Sequence, residues 1–244
     1  MIPAKKSALF SRWFAWHAER RLHASFATIR VRGLAALRDA LAAGPVLVVS
    51  NHTSWWDPLV LLKLCLRDLR ADAYAMMDAD NLRRLPFFAR VGAFGVDLGD
   101  RADGARSIRY AARLLDAPGR LVWLFPQGRE VPVTARRLSF RRGSGEIARV
   151  ARRARVVPVG LRYEHGARPE PDLWIAVGSG GDAGAVLRDA AGETARHEEL
   201  VATELARIDE ALVGGVADGF ERLHEKRPGR LFAFAQAVLA WLAR

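Results

Sequence analysis

His52 and Asp57 carry the most chemistry per residue in this chain, within Asn51-His52-Thr53-Ser54-Trp55-Trp56-Asp57-Pro58. An imidazole held by a carboxylate is fixed in one tautomer and made a better base. Such a dyad can take the proton from a hydroxyl. The run before it, Val-Leu-Val-Val-Ser at 46–50, reads as a buried strand. Pro58 suits the first turn of a helix, with Ser54 or Asp57 as N-cap. If Ser54 caps, the Asp57 carboxylate reaches back toward the residues before the helix, as in a capping box. His52 is among them. Each residue also has a plainer explanation: Asp57 as a cap alone, His52 as a polar loop residue. Trp55 and Trp56 suit the apolar wall of a lipid-facing corner and the packing of a core almost equally.

The elements that must position this corner follow from short apolar runs alternating with helical patterns. Strands are expected at 46–50, 73–77, 121–125, 156–161 and 173–177. Helices are expected at 5–28, 58–70, 105–116, 146–154, 193–212 and 230–243. Pro118-Gly119 stops the helix before it. Strands separated by helices of this length imply an α/β sheet with helices over its faces, and functional loops at the strand ends. Three parts are expected: a basic aromatic helical element for membrane association at 1–30, an α/β domain at 31–225, and an apolar C-terminal helix at 226–244. Gly178-Ser179-Gly180-Gly181 lacks the spacing of a dinucleotide loop and reads as a turn.

Half of the 244 residues are hydrophobic and 27% are charged, which is a globular composition and excludes disorder. A single cysteine, Cys65, excludes an internal disulfide framework and a cysteine zinc site. The net charge of +11 favours an anionic partner. The arginines are spread along the chain. There is no zinc-finger spacing, no aromatic RNA-binding motif and no single basic stripe, so nucleic acid is not the expected partner. No apolar run reaches the roughly 18–20 residues of a spanning helix. Residues 5–28, with Phe10, Trp13, Phe14, Trp16 and Phe26 among lysines and arginines, read as a helix lying in a bilayer interface and not as a signal peptide. The apolar stretch at 231–243 is too short to span and reads the same way. The expected location is peripheral, on the cytoplasmic face of an anionic membrane.

Five segments, in order, resemble the motif blocks of the glycerolipid acyltransferases, which include the lysophosphatidic acid acyltransferases. Asn51-His52 through Asp57 resembles the first block. Gly92-Ala93-Phe94-Gly95-Val96-Asp97 resembles the second, and Leu124-Phe125-Pro126-Gln127-Gly128 the third. Phe140-Arg141-Arg142-Gly143 resembles the basic segment after it, and Val156-Val157-Pro158-Val159-Gly160 the fourth. The resemblance implies a central mixed sheet flanked by helices. It also implies His52 as general base and Asp57 as its partner. The implied reaction moves a fatty acyl group from acyl-CoA or acyl-carrier protein, as co-substrate, to a lipid hydroxyl, with no metal and no further cofactor.

The resemblance also implies that Phe125, Pro126, Gln127 and Gly128 bind the acceptor. Here the chain departs from the family pattern. Gln127 stands where the family has Glu, Arg129 where it has Thr, Glu130 where it has Arg, and Leu98 where it often has Arg. Arg101, Arg129, Arg141 and Arg142 are the nearby cations able to compensate. An arginine fork meets phosphate oxygens at fixed geometry, so its displacement points to an acceptor other than ordinary lysophosphatidate. The rival reading is an inactive or weakly hydrolytic, thioesterase-like lipid-binding relative. A serine hydrolase would want G-x-S-x-G, and Gly143-Ser144-Gly145 has the wrong spacing.

Overall fold

In this computed structural model the described residues are 1–135, 137–181 and 189–226. The elements run α1 (Ala8–Ser25), β1 (Thr28–Arg32), α2 (Leu34–Ala43), β2 (Val46–Ser50), α3 (Asp57–Leu62), β3 (Asp72–Asp78), α4 (Ala79–Arg84) and β4 (Ala93–Val96). Then follow α5 (Arg101–Leu114), β5 (Arg120–Leu124), α6 (Gly143–Val150), β6 (Arg155–Glu164), β7 (Asp172–Val177), α7 (Ala190–Gly214) and β8 (Glu221–Glu225). The described strands form one 8-stranded sheet in the order β4-β3-β5-β2-β6-β7-β1-β8. It is mixed: β6–β7 and β1–β8 pair antiparallel and the other neighbours pair parallel.

The alternation of side chains along a strand divides the core in two. Val46 and Val48 of β2 face one way, with Leu121, Trp123, Val157 and Val159, under α1, α2 and α3. Leu47 and Val49 face the other way, with Val122, Leu124 and Val156, under α5, α6 and α7. Both faces of β2 are therefore covered, which is why it reads as an unbroken apolar run. β2 lies between the parallel strands β5 and β6, so its C-terminal end opens at the centre of one edge of the sheet.

The helix expected at 58–70 is α-helical only through Leu62. Lys63–Asp68 continues as a π-helical turn, with Leu69 N donating to Leu64 O at 2.9 Å. Lys63 and Asp68, five residues apart, pair at 2.8 Å across it. That spacing, not the one of an α-helix, brings the buried ammonium to its carboxylate. β1, α2, α4, β4 and β8 were not expected from the sequence. The helix expected at 230–243 lies outside the described residues.

Candidate active site

The sharp exit of β2 is held by Asn51. Its buried side chain donates to Leu161 O (2.9 Å) and accepts from Leu161 N (2.8 Å), locking the end of β2 to β6. The chain then turns through residues 52–56 into α3. Asp57 is the first helical residue and Pro58 follows it, with Trp56 at the cap position and no side-chain cap. Ser54 is thus not the N-cap. Its carbonyl accepts from Asp57 N (3.0 Å) and its Oγ from Trp56 N (3.2 Å). That hydroxyl is engaged in the turn, which argues against a nucleophilic role.

The backward reach of the Asp57 carboxylate organises the corner. Oδ2 accepts from His52 Nδ1 at 2.6 Å, from Thr53 N at 2.8 Å and from Ser54 N at 3.0 Å. Asp57 is fully buried, while the His52 side chain is 17% exposed. A bond from Nδ1 to a carboxylate places the proton on Nδ1 and leaves Nε2 as the basic nitrogen. The His52 ring stacks on Phe125 at the end of β5, with centroids 4.5 Å apart. Phe125 thereby walls one side of the imidazole.

The segment after β5 wraps under the histidine. Gln127 Oε1 accepts from His52 N at 2.5 Å, and His52 O accepts from Val131 N at 2.9 Å. Gln127 is buried, and its Nε2 meets no hydrogen-bonding partner among the described residues. Gly128 closes a turn on Phe125 O (3.0 Å) at φ +70°, a conformation that favours glycine. A Cβ there would also come within 3.1 Å of Arg141 Nε. Arg141 N in turn donates to Pro126 O at 2.9 Å. So Phe125, Pro126, Gln127, Gly128 and Arg141 gather beside His52. Arg129 and Arg142 lie exposed on the same wrap. No described contact brings Arg101 to them. It begins α5 after β4, and β4 is separated from β2 by β3 and β5. At ~4.8 Å per strand, β4 itself runs about 14 Å from β2.

Sequence reasoning missed Tyr163. Its hydroxyl donates to Asp57 Oδ1 at 2.5 Å from β6, 106 residues away. Burial, and then the Asp57 charge, push this phenol well above its ordinary range. It is therefore a neutral donor at any working pH. A pocket of about 320 Å³ opens beside the corner, lined by Asn51, Thr53, Gln127, Leu138, Arg162 and Asp209 among others. Arg162 and Asp209 pair at 2.6 Å across it.

Residues 28–162, more than half of the chain, match the family described as Acyltransferase. No curated protein matches the sequence. Among solved structures, the 1-acyl-sn-glycerophosphate (LPA) acyltransferase PlsC from Thermotoga maritima superposes with a TM-score of 0.58 at 17% identity. The match covers 81% of this chain and 79% of that one. At that identity the likeness is one of fold.

Proposed function

The chain belongs to the acyltransferase family, and from that premise we propose that it is an O-acyltransferase using His52 as general base and Asp57 as its partner. The acyl donor is a thioester, acyl-CoA or acyl-carrier protein. The acceptor is the hydroxyl of a lysophospholipid or another lipid-like molecule. The acceptor hydroxyl gives its proton to His52 Nε2 as its oxygen attacks the thioester carbonyl. The carbon–oxygen bond forms and the carbon–sulfur bond breaks. The imidazolium then returns the proton to the leaving thiolate. Asp57 stabilises the imidazolium and keeps Nε2 turned to the acceptor; it does not take the proton itself. The observation that carries this reading is the 2.6 Å Nδ1–Oδ2 bond, with the carboxylate sealed and the imidazole reachable.

The acceptor is proposed to differ from lysophosphatidate. Gln127 brings no charge beneath His52, Glu130 and Leu98 stand where cations are the family habit, and Arg101 follows β4, three strands along the sheet from β2. Arg141 is the cation placed nearest the turn, over Gly128.

A bilayer-facing role is proposed for the outer side of α1. That helix buries Ala15, Ala18 and Leu22 and exposes Leu9 (79%), Trp13 (52%) and Trp16 (45%). Arg20 lies 5.1 Å over the Trp16 ring. A cleft of about 520 Å³ beside α1 is lined by Arg12, Arg67 and Arg70. Apolar rings interleaved with guanidiniums fit the interface of an anionic membrane. Among the described residues no helix is long and apolar enough to cross one. Attachment is accordingly proposed as peripheral, at the cytoplasmic face.

The test uses purified protein with palmitoyl-CoA or palmitoyl-carrier protein and lysophosphatidate, lysophosphatidylglycerol or monoacylglycerol, with products read by mass spectrometry. A product that the wild type makes and His52→Ala does not make is the expected result. Full transfer by His52→Ala would remove the base assignment. Turnover of lysophosphatidate in the ordinary range, on the order of 1–1000 per second, would end the proposal of a different acceptor.

A further inference from the structure

A carboxylate with no exposure must have its lone pairs answered, because burying it unpaired costs several kcal/mol or moves its proton equilibrium. Asp57 answers three of its contacts through Oδ2: the His52 ring and the amides of Thr53 and Ser54. Oδ1 has one described partner, the Tyr163 hydroxyl. We infer that Tyr163 is a positioning residue of the dyad: by donating to Oδ1 it fixes the rotation of the carboxylate at which Oδ2 meets His52, and it shares the negative charge that the imidazole feels. This rests on the reading of His52 as base.

The fold delivers the phenol by a specific route. Asn51, the residue before His52, grips Leu161 with two bonds and so sets the register of β6 against β2. Tyr163 lies two residues further along β6, on the same face as Leu161, since side chains repeat every second residue. Both pack into the core beneath α1 and α3. Phe26 flanks the Tyr163 ring at 5.7 Å and the Trp56 ring at 5.2 Å, so the phenol and the corner share one wall. The clamp that shapes the exit of β2 and the donor that orients Asp57 are thus consecutive outward steps on one strand.

The chemical consequence has a sign. Hydrogen bonds accepted by a carboxylate spread its charge and weaken its pull on a second partner. Tyr163 stays protonated, as its raised phenol range requires, so it always acts in this direction. Removing the hydroxyl leaves the full charge facing the imidazole and lets the carboxylate rotate. The ring should then hold its proton more tightly while meeting the acceptor less often. The other charged groups around the corner are Arg21 of α1, 6.0 Å from the Trp56 ring, Arg129, Glu130 and Arg141 on the wrap after β5, and the Arg162–Asp209 pair across the adjoining pocket. None of them is altered in the test.

The experiment follows the His52 ring by NMR as pH is varied in wild type and Tyr163→Phe. His52→Ala identifies its signal among the six histidines. This arm needs no acceptor. The expected result is a His52 titration moved to higher pH in Tyr163→Phe, by about half a unit to one unit. With palmitoyl-CoA and the acceptor that the wild type turns over fastest, kcat should fall on the order of ten-fold with KM little changed. Adding Tyr163→Phe to Asp57→Asn should cost far less than adding it to wild type, because its action passes through the carboxylate. A titration that stays put or moves to lower pH overturns the proposal, even if the variant is less stable. Should Tyr163→Phe fold poorly, 3-fluorotyrosine at position 163 keeps the packing and strengthens the donor. It should move the titration to lower pH, and no movement overturns the proposal. If His52→Ala retains full transfer, the base assignment falls with it. If His52→Ala is inactive and the titration is unmoved, only the role of Tyr163 falls.

Discussion

Among the described residues the molecule holds two histidine–carboxylate pairs of nearly equal length. His52 meets Asp57 at 2.6 Å at the mouth of β2, and His197 meets Glu193 at 2.8 Å one turn apart on α7. Their surroundings differ. The His52 ring is partly exposed, and the other side chain on its carboxylate is the neutral Tyr163 hydroxyl, with no described cation. His197 and Glu193 are both sealed under α6 and β6, and Arg196 also binds Glu193. The second nitrogen of His197, Nδ1, is buried and unpartnered among the described residues. Distance between imidazole and carboxylate therefore does not distinguish the pair proposed as catalytic from the buried one. What separates the two is whether the other nitrogen can reach a substrate.

The sharpest way to break this contrast is to exchange the losses. His52→Ala is expected to lower acyl transfer by about 10²–10⁴-fold, the usual worth of a positioned general base, with little change in thermal midpoint. His197→Ala is expected to do the reverse. It removes a bond to a charged group and opens a small void, at about 2 kcal/mol of stability, and leaves the activity of the folded fraction intact. Denaturation and initial-rate measurements on both variants decide the matter. Loss of activity in folded His197→Ala would dissolve the distinction.

Asp57→Asn tests the same contrast from the carboxylate side. The amide keeps the shape of the corner but offers His52 an uncharged partner and can impose the wrong tautomer. A loss of about 10²–10⁴-fold in kcat is expected, measured with palmitoyl-CoA and the best acceptor found. Activity within a few-fold of wild type would show that Asp57 only braces the turn before α3.

These pairs also show what the sequence can and cannot display. His52 and Asp57 lie within one turn of chain, and the strand run before them and Pro58 after them announce the corner. β2 and the two faces of the core were legible for the same reason: buried parallel strands are short apolar runs. β1, Thr-Ile-Arg-Val-Arg, interleaves arginines, and β8, Glu-Arg-Leu-His-Glu, has almost no apolar signal. Both lie at one side of the sheet, where β8 forms the edge, so periodicity hides them. Tyr163 was illegible because its partner is 106 residues away, and only the register of β6 against β2 joins them. The approach of Gln127 to the His52 backbone, 75 residues away in sequence, has no local signature either, although the segment itself stood out by resemblance.

A smaller effect concerns the buried pair and pH. Burial lowers the proton affinity of His197 below its ordinary value, against the opposing pull of Glu193. The unfolded chain then takes up a proton near pH 6.5 that the folded chain refuses. Its contribution to stability is complete above that pH and declines as pH falls through it, by at most about 1.4 kcal/mol per unit. His23 and His224, stacked at 4.0 Å, are lowered chiefly by burial and act in the same direction. His197→Gln should flatten, but not abolish, the drop in thermal midpoint between pH 7 and 5.5. An unchanged pH dependence would show that His197 is not refusing its proton.

The smallest expected effect concerns reach of substrate rather than chemistry. Deleting residues 1–28 is not a clean test of membrane contact, because Leu22 and Phe26 are part of the core under the sheet. Trp13→Ser with Trp16→Ser alters only the exposed side of α1 and leaves Ala15, Ala18 and Leu22 in place. Burying two such rings in an interface is worth a few kcal/mol at most, at ~25 cal/mol per Å² of apolar area. The double variant should pellet less with vesicles rich in phosphatidylglycerol. It should also turn over a lipid acceptor in vesicles more slowly, while its rate on a short-chain, water-soluble acceptor is unchanged. Equal pelleting would move the contact to another face of the molecule. A loss with the soluble acceptor as well would mean that α1 supports the corner through Arg21 and Trp56, and not by holding the protein to its substrate.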